Sequence, residues 1–320
     1  MDNSNITCSI VFHIGYHKTG TTFLQHKIFS QHNEIIYLGQ PFSNQDIDDY
    51  FYEFKNCHEI EFNYLVFRRR FFNLLSCYSD EVLSEKILLV SLESLHSGFE
   101  WFGRDIVTMS HRLNKTFPSA KIIFGIRKQN SYTLSNYKEY ILHGGKMKFN
   151  DFLYNSFYFS RCLKPKLCYD KVVSLYEKLF GVNLYVYSFE IFFNSIDKGT
   201  EDLLVFIGVK NNINININNE KIYEGMSDTS VTMLRFFNLI LAKDFLEQYY
   251  DVGRKERLTK KEIFRRNIIL KVLRKFDAIN PIKLNFIIRD KDNEFIIKLF
   301  KKSNNELKSK YPYLMDYTDA

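Results

Sequence analysis

No stretch of the chain reaches the roughly 18 consecutive apolar residues of a membrane-spanning helix, so no transmembrane segment is expected. The opening residues, MDNSNITCSIVFHIGYHK, lack a basic segment followed by a long apolar one. No secretory leader is therefore expected, and the cytoplasm, up to the inner face of the membrane, is the expected compartment. Cysteine is sparse. The five thiols, Cys8, Cys57, Cys77, Cys162 and Cys168, are odd in number and form no C-x-x-C pair. That fits reduced thiols, and it speaks against a disulfide framework and the common zinc spacings. His13 and His17 stand four apart, but on a strand and a loop rather than one helix face, so no metal is expected. No G-x-S-x-G elbow occurs, which disfavours a serine hydrolase. Internal repeats and long linkers are also missing. A single domain over 1–320 is expected, with an α/β core over 9–210 and a mostly helical extension over 211–320.

Apolar side chains are abundant. They make up 45% of the 320 residues, with 31 Phe and 21 Tyr, enough for a substantial core. The formal net charge is +7, which favours anionic partners without choosing among nucleotides, acidic glycans, nucleic acid and membrane surfaces.

Short apolar runs alternate with amphipathic ones. SIVFHI (9–14), KILLVSLESL (86–95), SAKIIFGIR (119–127) and VNLYVYSF (182–189) read as strands. TTFLQHKIFSQ, the stretch 46–80, the segment up to Gly144 and Gly145, YDKVVSLYEKLFG and GTEDLLVFIGV read as helices. Such alternation implies a mostly parallel central sheet flanked by helices. NNINININNE (211–220) reads as a biased surface loop, and 227–245 and 253–276 as helices, the last strongly basic.

GYHKTGTT, residues 15–22, follows the first strand and opens a helix. Unpaired N–H groups and the helix dipole make such a start an anion site, and glycine lets the backbone approach the anion closely. The spacing of Gly15, Gly20 and Thr22 fits the phosphate loop G-x-x-x-x-G-K-[ST], but position 21 is threonine and the lysine is Lys18, ahead of the second glycine. The charge therefore stands at the loop tip, near a shorter 5′ group than a triphosphate.

HIGYHKTGTTFLQ resembles the 5′-phosphosulfate loop of sulfotransferases that use 3′-phosphoadenosine 5′-phosphosulfate (PAPS), bacterial glycan-modifying members among them. The family's second signature is an arginine at a later strand end with a serine eight residues on. Here that pattern is met by Arg127 and Ser135. The resemblance covers about 9–210 and implies a P-loop-like fold. It also implies PAPS as co-substrate with no metal, and PAP as the product. Donor contacts would come from His17, Lys18, Thr19, Gly20, Thr21, Thr22, Arg127 and Ser135. Lys18 would stabilise the leaving phosphate. Glu93, at a strand end, is the candidate base, with His143 as the alternative. A structural role competes for each: a helix-start carboxylate for Glu93 and a helix C-terminal cation for His143. The acceptor that the resemblance points to is a glycan or glycolipid of capsule, O-antigen or exopolysaccharide type. The basic run 254–275 is either a solvated face or a contact for an acidic glycan or a membrane surface, and no nucleic-acid motif accompanies it. Two other classes stay open: a P-loop kinase or NTPase with an altered loop, and a non-catalytic protein that binds nucleotide or anionic glycan.

Overall fold

The structure is a computed structural model and describes residues 8–39, 45–96, 106–210, 225–241, 260–279 and 286–314. Two compact units divide it: 1–127 with 168–220 and 303–319, and 128–167 with 221–302.

The first unit is built on five strands, β1 (Ser9–His13), β2 (Ile35–Gly39), β3 (Ile87–Ser91), β4 (Lys121–Ile126) and β5 (Leu184–Ser188). They form one parallel sheet in the order β2-β3-β1-β4-β5. All four strands read from the sequence are present. β2 was not anticipated: IIYLG is five residues long, and so short an apolar run is ambiguous without its neighbour. Pairing with β3 from Ile35↔Ile87 to Gly39↔Ser91 makes it a strand.

Helices connect the strands. α1 (Thr21–Phe23) runs on into a π turn, Leu24–Ile28, and a 3₁₀ turn, Phe29–Gln31. α2 (Gln45–Asn56), α3 (Tyr64–Leu74), α4 (Asp80–Glu85) and α5 (Ile106–Thr116) follow. Asn63 and Ser79 cap α3 and α4 by accepting backbone N–H bonds. Next come α6 (Gln129–Leu142), α7 (Lys164–Lys166), α8 (Tyr169–Phe180), α9 (Phe189–Asn194) and α10 (Ile196–Ile207), then α11 (Asp228–Leu241), α12 (Lys260–Ile279) and α13 (Asp290–Lys310). α11 and α12 match the two expected C-terminal helices. The stretch 211–220 and the flanks 242–245 and 253–259 lie outside the described residues. No helix among the described residues is long and apolar enough to cross a membrane.

Side chains alternate across the sheet with period two. Val11, Leu89 and Ile123 face a buried cluster with Leu24 and Ile28 of the α1 run and Leu203, Leu204 and Ile207 of α10. Their neighbours point the other way: Phe12 meets Phe117 just past α5, and Phe124 meets Tyr176 of α8. Both faces are therefore covered, as a parallel sheet requires.

The strand order matters for function. After β1 the chain moves past β3 to β2, returns to β3, then crosses to β4 on the other side of β1. The connections thus diverge around β1, and a crevice is expected at the carboxyl ends of β3, β1 and β4.

The second unit is helical. Asp228 at the start of α11 pairs with Lys138 of α6 and accepts from Phe286 N and Ile287 N, while Ser227 and Ser230 bond to Asp277 of α12.

Candidate active site

Residues 14–20 join β1 to α1, and their geometry explains their composition. Ile14 N still bonds to Ile123 O at 2.9 Å, holding the loop's start to β4. Gly15 then takes φ 122°, and a Cβ there would fall 2.6 Å from Phe124 Cβ. Gly20 caps α1 at φ 83°, with room for a Cβ taken by the Phe193 ring, 2.3 Å away. Neither position tolerates a side chain without movement.

Lys18 lies between them at φ 67°, the only non-glycine residue with positive φ among the described residues. Such a conformation costs roughly 1–2 kcal/mol in an L-residue, so the surroundings must hold it. Arg127 Nη1 donates to Lys18 O at 2.8 Å. The Thr19 hydroxyl donates back to Tyr16 O at 2.6 Å, and Tyr187 OH donates to Thr19 O at 3.1 Å. The loop is a fixed turn with the Lys18 side chain exposed at its tip.

The three threonines have different environments. Thr19 is fully buried and its hydroxyl closes the turn. Thr21 is buried and its hydroxyl donates to Glu93 Oε1. Thr22 is half-buried on the first turn of α1.

Glu93 stands just past β3, where Leu92 N bonds to His13 O at 3.0 Å and a 3₁₀ turn, Glu93–Leu95, begins. Its second oxygen, Oε2, pairs with His17 Nδ1. Burial pushes the Glu93 carboxyl up, but His17, the Thr21 hydroxyl and, least of the three, His13 together outweigh burial and hold it below the usual carboxylate range. Glu93 is therefore an anion at neutral pH.

Beneath it lies a buried polar layer. Gln25 Nε2 donates to Ser91 Oγ at 3.0 Å, and the same hydroxyl is shared with His13 Nδ1 at 2.7 Å. His13 is fully buried, and burial pushes its pKa from 6.5 down to about 4, against the opposing pull of Glu93. Its Nε2 has no hydrogen-bond partner in the structure.

Arg127 follows β4. Besides its bond to Lys18 O, its guanidinium lies 4.6 Å from the Phe189 ring centroid, and its own carbonyl accepts from Tyr169 OH at 2.7 Å. Stacking on an aromatic face while bonding through one edge fixes a guanidinium and leaves its remaining donors directed.

The fold thus gathers His17, Lys18, Thr21, Glu93 and Arg127 from the ends of three adjacent strands. Ser135 and His143 belong to the second unit. Ser135 is half-buried on α6. His143 caps the carboxyl end of α6, with Nδ1 2.8 Å from Glu139 O and 3.6 Å from the Glu139 carboxylate. Those contacts tie the ring to the last turn of the helix.

Several framing residues escaped the sequence reading: Tyr16, Tyr169, Tyr187, Phe189 and Phe193 around the loop, and Gln25 below it. Phe189 and Phe193 carried a signal in their i, i+4 spacing on α9, which puts both rings on one side of a helix. Gln25 carried none.

No protein-family model matches the chain, and no curated protein does. Among solved structures the chain is similar to a sulfotransferase from Alicyclobacillus acidocaldarius, at 17% identity over 73% of this chain and 93% of that chain, with a TM-score of 0.45. A likeness this distant does not reach to the reaction, which has to follow from the residues at the strand ends.

Proposed function

We propose that this protein is a PAPS-dependent sulfotransferase. The carrying observation is the loop itself. An exposed lysine is held in a left-handed turn at its tip, and an arginine from the next strand is clamped on that lysine's carbonyl. The lysine's place ahead of the second glycine suits a 5′-phosphosulfate better than a triphosphate.

In this reading the transferred sulfuryl group passes in line from the 5′-phosphate oxygen to an acceptor hydroxyl or amine. Charge grows on the bridging oxygen as its bond to sulfur breaks, and Lys18 supplies the opposing charge. Backbone N–H groups at the start of α1, with Thr22, hold the 5′ end. Arg127 is assigned to the 3′-phosphate, for which a guanidinium offers a fork of donors. Ser135, eight residues further along the sequence, is the second donor its spacing suggests. Glu93, the carboxylate beside the loop, is assigned to the removal of the acceptor's proton. His143, engaged with Glu139, is the weaker candidate for that task.

Thermal-shift titration tests the reading against its rivals. PAP at a hundredfold excess over its Kd should stabilise the protein by about 2.7 kcal/mol, and ATP with Mg²⁺ should not. A shift with ATP–Mg²⁺ alone would make the protein a kinase or NTPase, and a shift with heparin alone a glycan-binding protein.

The proposed acceptor is a glycan or glycolipid, checked by mass spectrometry of surface glycans with and without the protein. A lipid-linked acceptor also gives the basic C-terminal helix a place. On α12, Lys271, Arg274 and Lys275 are exposed beside exposed Ile268, Val272 and Ile279, a mixture suited to an anionic membrane surface. Co-sedimentation with anionic but not neutral vesicles is expected.

A further inference from the structure

The hydrogen bonds around Glu93 divide the work of proton removal between two residues. Both carboxylate oxygens are occupied: Oε1 accepts from the Thr21 hydroxyl and Oε2 from His17 Nδ1. Each oxygen keeps a second lone pair, but the bonds with Thr21 and His17 stabilise the Glu93 anion and so make it a weak base. His17 is placed differently. With Nδ1 donating to the carboxylate, a neutral imidazole carries its lone pair on Nε2. The His17 side chain is 45% exposed, against 19% for Glu93, so the ring is the more accessible of the two.

We propose that His17 is the general base and that Glu93 is the positioning residue that fixes its tautomer and ring orientation. This rests on the sulfotransferase reading. The acceptor hydroxyl passes its proton to His17 Nε2 as its oxygen bonds to sulfur. The bond between sulfur and the 5′-phosphate oxygen breaks, and its electron pair stays on that phosphate. The products are the sulfate ester and PAP, and the imidazolium later loses its proton to water.

The charged groups around His17 suit this role. Glu93 faces it from the turn after β3, with Oε2 on His17 Nδ1. Lys18, its neighbour on the loop, is committed to the leaving phosphate, and Arg127 reaches the loop at the Lys18 carbonyl. His13, at the end of β1, acts on Glu93 from beneath. His17 and Lys18 are adjacent in sequence, so one fixed turn carries the group that receives the proton and the group that meets the leaving charge.

Three measurements on the full chain test it: PAP affinity by calorimetry, turnover with PAPS, and the pH profile of kcat/KM. His17→Gln retains an N–H donor for Glu93 but cannot take a proton. At saturating PAPS it should lose about 10²–10⁴ in kcat, far more than any loss of PAP affinity, and lose the acid limb of the pH profile. Should His17→Gln unfold, His17→Gly replaces it, and added imidazole should restore part of the turnover. His17→Gln that binds PAP and turns over within about threefold of the wild type overturns the proposal and returns the base to Glu93. Failure of the wild type to bind PAP is a different outcome, and it removes the sulfotransferase reading together with this inference.

Discussion

His13 and His17 are four residues apart, and both act on Glu93, yet their surroundings give them opposite characters. His13 lies in the layer beneath the loop, where burial pushes its pKa down to about 4 and keeps it neutral. His17 lies in the loop above, half-open to solvent and paired with the carboxylate. The lower layer is built to stay fixed and uncharged, and the upper one to carry charge. A set of side chains that looks like one polar cluster is two regions with separate duties, separated by Glu93. Changes in the upper region should alter turnover while sparing the fold. Changes in the lower region should alter stability and its pH dependence.

The largest expected effect is in the upper region. Lys18→Ala should lower kcat by about 10²–10³, the usual loss for one donor aimed at a developing charge. PAP should still bind, because the N–H groups of the loop and Arg127 remain. Single-turnover kinetics with PAPS alongside PAP calorimetry would check both statements. Near-normal turnover would mean that Lys18 does not meet the leaving group.

The lower region should appear in acid. His13 has a folded pKa of about 4 against 6.5 when unfolded. Between those values the unfolded chain binds the extra proton, so stability is fully present above about pH 6.5 and declines as pH falls through 4. The loss from this group is at most about 3 kcal/mol. Glu93, held below its usual range, adds a further loss with the same sign below about pH 4.5. Urea unfolding across pH 4–7 would measure the slope. His13→Gln should flatten the part between 4 and 6.5 and reduce the Glu93 part, to which His13 contributes, without removing it.

These two regions were unequally legible in the sequence. The upper loop announced itself because its chemistry is local: Gly15, Lys18, Gly20 and Thr22 lie within eight residues, and strand and helix patterns flank them. Arg127 was legible for the same reason, at the end of an apolar run. The lower layer was not. Ser91 and Gln25 are 66 residues apart, and Ser91 and His13 are 78 apart. Nothing in the local pattern of any one of them indicates the other two, and only the parallel register that places His13 opposite Ser91 unites them. β2 was lost for a related reason, since a five-residue apolar run gains its meaning from the strand it pairs with. Glu93 stood between these cases: its position at a strand end was readable, but its bonds to His17 and Thr21 were not.

Gly20→Ala probes the packing that joins loop to helix. The new methyl would meet the Phe193 ring at 2.3 Å in a backbone of φ 83°. A loss of about 1–3 kcal/mol is expected from overpacking. Pairing it with Phe193→Leu should recover the steric part and leave the conformational part. Unfolding free energies for the two single variants and the double would separate them.

The smallest effect is the most discriminating for the division of duties. Lys18 holds φ 67°, a left-handed conformation that glycine adopts without a Cβ penalty. Lys18→Gly should therefore relieve about 1–2 kcal/mol of backbone cost and give back about 0.5–1 kcal/mol through the greater freedom of the unfolded chain. The net gain in stability is up to about 1.5 kcal/mol, and turnover should fall as far as in Lys18→Ala. A variant that is more stable and inactive would show that the left-handed turn is maintained against its own cost to hold the lysine at the loop tip. Equal stability of Lys18→Gly and Lys18→Ala would mean that a Cβ carries no net cost at this position, because the Arg127 bond to the residue 18 carbonyl is common to both variants and cancels.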